Sequence, residues 1–156
     1  MKRLTCICAV ILSVSALASA RITGLSDSRS VTGAGKGTFA AGATLGAVAL
    51  SGVELGTGVL IEADGSATGT FHAVLQGTSL GSAAELTVEG HVTEGSIGAD
   101  GRATFGGTAS FDFGDGMPPL PAVPFQVIAG ADGLVLAINS TTLPAAGFTA
   151  GGVTVE

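Results

Sequence analysis

Ser79 and the two histidines, His72 and His91, are the residues of this chain best suited to chemistry. Gly77-Thr78-Ser79-Leu80-Gly81 fits the G-x-S-x-G pattern, in which a sharp strand-to-helix turn exposes a serine nucleophile. Hydrolysis from such a serine needs a base within hydrogen-bond reach and a third group to orient that base. In the pattern an acid and then a histidine follow the serine. Here His91 is the only later histidine, and only Glu85 and Glu89 stand between. The chain holds 26 glycines, so a pattern resting on two of them arises readily by chance. Ser79 therefore reads as a loop serine, no catalytic residue is assigned, and a hydrolase using Ser79 is the third functional reading.

Zinc is the other chemistry within range. His72, His91 and Glu89 together form a zinc donor set. An antiparallel pairing of residues 68–76 with 84–93 would put both imidazoles on the polar face near Glu89, because facing positions lie within about 5.5 Å. Solvated histidines are the simpler expectation, and the sequence assigns neither a metal nor a cofactor. Asp64, Asp100 and Asp132 are single turn carboxylates, without the spaced oxygen ligands of a calcium loop. Gly33-Ala34-Gly35-Lys36-Gly37-Thr38 misses the phosphate-loop pattern twice, with Ser30 at the first glycine position and Gly37 directly after the lysine.

The elements that would position these groups are strands. Apolar residues alternate with polar ones at Phe71, Ala73 and Leu75, then at Leu86, Val88 and Val92, and most clearly at Ala103, Phe105, Ala109, Phe111 and Phe113. Residues 123–129, 134–139 and 151–155 continue the series. Ala-Asp-Gly recurs at residues 63–65, 99–101 and 131–133, which predicts two-residue hairpins with each glycine at positive φ. Residues 40–61 carry Glu54 as their only charge, yet their glycines and that carboxylate oppose a membrane helix. They read as two adjacent strands with a bulge near Ala47-Val48. Residues 117–124, with Pro118, Pro119, Pro121 and Pro124, read as a stiff extended connector kept off the central strands. Nothing reads as a helix. The expected fold is all-β, an antiparallel sandwich or closed barrel of about eight to ten hairpin-connected strands.

Phe111-Asp112-Phe113-Gly114-Asp115-Gly116 resembles the W-D-F-G-D-G signature of PKD domains, with Phe111 in place of the tryptophan and no His-x-Tyr element after it. The resemblance spans six residues and implies an immunoglobulin-like extracellular sandwich.

The beginning of the chain bears on where such a domain works. Lys2 and Arg3 precede a mostly apolar run, and Ala18-Ser19-Ala20 supplies small residues before Arg21. That is the pattern of a cleaved secretory signal over residues 1–20. It predicts a secreted or periplasmic location and removes both cysteines, Cys6 and Cys8. Residues 21–34 read as a flexible leader, and residues 35–156 as the single domain. After processing, Arg21, Arg29, Lys36 and Arg102 face twelve Asp and Glu, too few cations to grip nucleic acid phosphates. No integral membrane span is expected. The sequence contains no Trp or Tyr, which weighs against sugar-stacking platforms and membrane aromatic girdles. The leading functional expectation is a non-enzymatic binding or structural module for an extracellular or cell-envelope ligand. The alternative is a small β-barrel that carries an apolar ligand in its interior.

Overall fold

Period-two alternation becomes strand over most of residues 27–156, the part of the chain that the computed structural model describes. The expected signal peptide, both cysteines and residues 21–26 lie outside the described residues. The strands are β1 (Arg29–Phe39), β2 (Thr44–Leu45), β3 (Val48–Ile61), β4 (Ser66–Ser79) and β5 (Ser82–Ile97). They continue as β6 (Ala103–Asp112), β7 (Leu120–Gly130), β8 (Gly133–Ile138), β9 (Thr141–Thr142) and β10 (Ala146–Val155). Every pairing is antiparallel.

Hydrogen bonding runs in a ring. The strands from β3 to β8 pair each with the next, and β1 pairs with both β3 and β10. β10 then meets β8 at Ala146↔Leu134 and Gly147↔Gly133 alone, so this seam is the shortest in the ring. β2 and β9 are short spurs on β3 and β8. The all-β expectation holds, in a barrel-like closure.

Several local expectations change. Residues 29–34 belong to β1 rather than to a leader, because Val31, Gly33 and Gly35 are laddered to both neighbouring strands. Pro121 and Pro124 lie inside β7, where Ala122 takes a φ of 56° and the register shifts. Gly65 and Gly101 have the expected positive φ, but their loops, residues 62–65 and 98–102, are longer than two residues. In each loop the glycine N–H donates to the carbonyl three residues back, Glu62 or Gly98. Gly133 is not in the left-handed region; its role is close approach, since a Cβ there would strike the Ala146 carbonyl across the seam.

The ring's interior is apolar and its outer face polar. Phe71, Phe105, Leu75, Leu86 and Leu136 are fully buried, while Thr70, His72, Glu89, His91 and Thr108 point outward. Among the described residues no polar or charged residue is buried. Phe71 lies at the centre, stacked on Phe125 at 5.7 Å and edge-on to Phe105 at 5.9 Å. Gly90 makes room for this cluster: a Cβ there would stand 2.6 Å from Phe125 Cζ. Among the described residues no helix is long and apolar enough to cross a membrane.

Candidate functional site

Alternating hairpins divide the loops between two ends. One end carries the β3–β4, β5–β6 and β7–β8 turns, called here the Asp-Gly end. The other, the rim, carries the β4–β5 turn, the β6–β7 loop and the connections around β2 and β9.

At the rim the β4–β5 turn is Leu80-Gly81, with φ of 51° and 85°, between the paired Ser79 and Ser82. This is the two-residue type I′ geometry that the sequence led us to expect at Asp-Gly. A leucine there has its Cβ close to the following carbonyl, a cost of about 1–2 kcal/mol. Leu80 is also completely exposed (101%), so its side chain makes no packing contact in compensation.

The neighbouring β6–β7 loop is built from the Phe111–Gly116 stretch. Asp112 Oδ1 accepts from Gly114 N–H at 2.8 Å, and Asp115 Oδ1 accepts from Met117 N–H at 2.9 Å. Gly114 and Gly116 have φ of 66° and 79°. Two successive Asx turns thus account for the two Asp-containing steps of the motif, because Asp side chains bond the backbone two residues on. The loop lifts Met117 into solvent (67% exposed), with Phe113 and Leu120 half-exposed beside it. Phe113 is anchored by an edge contact to buried Phe111, with ring centres 4.8 Å apart.

Between these two loops lies a surface cleft of about 640 Å³. Val48, Leu86 and Phe113 give its apolar lining, and Ser79 and Ser82 its hydroxyls. Glu85 and Asp115 add two carboxylates. Ser79 therefore does reach a cleft, but without an imidazole. His72 is seven residues away on the same strand, about 23 Å at strand spacing, and His91 faces Thr70, about 30 Å away. Among the described residues no hydrogen bond joins Ser79 to Glu85 or Asp115.

The zinc candidates are adjacent, as the assumed pairing required. His72 faces Glu89, and His91 faces Thr70 two positions along, all on the outer surface. Among the described residues, however, no three His, Cys, Asp or Glu side chains group closely enough to hold a metal.

Sequence reasoning missed the rim. In the sequence Leu80 occupies the variable position of a serine motif, and the Leu-Gly pair between serines is the available turn signal. Comparison of the chain with protein-family models, curated proteins and solved structures finds no match.

Proposed function

We propose that this protein is a non-enzymatic binding module, secreted or periplasmic, in which a filled β-ring holds an apolar rim in place for a partner. The observation that carries this reading is the rim cleft lined by Val48, Leu86 and Phe113, with Leu80 strained and fully exposed and Met117 and Leu120 exposed on the loops of the same end. Apolar side chains concentrated on one part of a surface mark interaction sites, whereas scattered ones do not. The packed Phe71–Phe105–Phe125 cluster weighs against the carrier alternative, which needs room inside. The distance from Ser79 to either histidine weighs against the hydrolase.

Nile red, a neutral apolar dye, tests the reading. Wild type should bind it, and Leu80→Ser/Met117→Ser should lose that binding without a lower melting temperature. Dye binding that survives in the rim variant but vanishes in Phe125→Ala would favour the carrier. Ester or peptide turnover abolished by Ser79→Ala would favour the hydrolase. The export reading predicts an exported product of intact mass beginning at Arg21.

A further inference from the structure

We infer that the partner of the rim is a cationic peptide segment bearing large apolar side chains, an inference that rests on the binding-module reading above. Charge is distributed unevenly over the molecule. Glu85 and Asp115 line the cleft, and Asp112 stands at the base of its loop. Among the described residues, all three ion pairs lie elsewhere: Lys36–Glu54 at 2.6 Å, Arg102–Asp132 at 3.3 Å and Arg102–Asp100 at 4.0 Å. Arg29 and Arg102 are at the Asp-Gly end, and Lys36 is engaged by Glu54. The rim is thus apolar and acidic, with no described cation of its own beside the cleft. Asp112 and Asp115 each use Oδ1 to hold the loop, which leaves Oδ2 for a partner.

The alternatives fit this chemistry poorly. An anionic membrane would be repelled by the same carboxylates. Insertion into neutral lipid would carry Glu85 and Asp115 toward hydrocarbon without counter-charges, a costly transfer. A segment carrying Lys or Arg next to Leu or Phe covers the apolar surface and keeps each carboxylate paired. The cleft's volume lies in the range that takes a small ligand or a few side chains, in keeping with a segment rather than a globular face.

The experiment follows amide shifts of the full chain on titration with three probes: a ten-residue alternating Lys/Leu peptide, its Glu/Leu counterpart and phosphatidylcholine vesicles. The Lys/Leu peptide should shift residues 79–85 and 113–117, and the Glu/Leu peptide should not. Affinity should fall about tenfold in Glu85→Gln/Asp115→Asn and with added salt, since rim charges set salt dependence. Asparagine keeps the acceptor for Met117 N–H, so the loop should hold. Glu62→Gln at the opposite end should change nothing. Equal binding of both peptides, unchanged affinity in the charge variant, or preferential binding to vesicles would overturn the inference while leaving the rim as a binding surface. No rim shift with any probe, together with dye binding indifferent to Leu80 and Met117, would overturn the binding-module reading itself.

Discussion

The two ends of the ring differ in which side chains they place at left-handed turn positions and in water. At the Asp-Gly end the left-handed turn positions are filled by Gly65 and Gly101, where positive φ costs little. The Asp64 carboxylate accepts from both Ser66 N–H and Ser66 O–H, bonds that hold it below the ordinary carboxylate range. Arg102 ties the β5–β6 turn to the β7–β8 turn through Asp100 and Asp132. At the rim, glycines such as Gly81, Gly114 and Gly116 take positive φ as well, but there and on the strand next to it Leu80, Asn139 and Ala122 also do, and large apolar side chains stand in water. Toward the Asp-Gly end, Leu60 is the one large exposed apolar residue among those described. One end is consistent with its own stability; the other departs from it. Such departures are expected where a surface serves function and the rest of the fold supports it.

The largest expected effect tests the core that both ends share. Gly90→Ala should destabilise by about 1–3 kcal/mol, because the new methyl overlaps the Phe125 ring in a filled interior. A neutral result in chemical denaturation would mean that the interior has room, and the carrier reading would gain. Next comes Gly101→Ala, expected to cost about 1 kcal/mol by forcing a side chain into positive φ. The same experiment at the rim should run the other way. Leu80→Asn, which creates the preferred Asn-Gly turn, should stabilise by about 0.5–1 kcal/mol and weaken dye and peptide binding together. If it instead destabilised, Leu80 would be a packing residue and the contrast between the ends would fail. The smallest effect is electrostatic. Lys36, by hydrogen bond and charge, lowers the Glu54 pKa below its ordinary 4.5. The pair's contribution is therefore complete above that pH and fades as pH falls through the lowered value. Lys36→Met should flatten this part of the acid melting profile slightly, since exposed pairs are weak.

The strand content was legible because one face of each strand is buried, and burial writes period two into the sequence. Phe71, Ala73 and Leu75 are buried as their alternation implied, and Leu86 and Val88 face them across β4 and β5. The pairing that brings His72 opposite Glu89 was legible for the same reason. Ring closure was not: β1 carries glycines at 33, 35 and 37, where Cβ atoms would press on the β10 backbone, and glycine leaves no hydrophobic pattern to read. The rim escaped for a different reason. Local rules place leucine in cores and away from positive φ, so a leucine that breaks both rules has no signature of its own.

The place of β1 has a mechanical consequence. Ser30 and Glu156 exchange both backbone hydrogen bonds at 2.9 Å, at the end of the ring where β1 begins and β10 finishes. Tension applied at Arg29 and Glu156, residues 127 positions apart in sequence, would load the β1–β10 ladder from its end. The bonds would then fail in succession instead of sharing the force. β10 would be left held to the rest of the ring by its two-residue seam with β8. Under force this ring should open like a zipper at β1 and β10, at low load, while the β3–β8 meander stays folded.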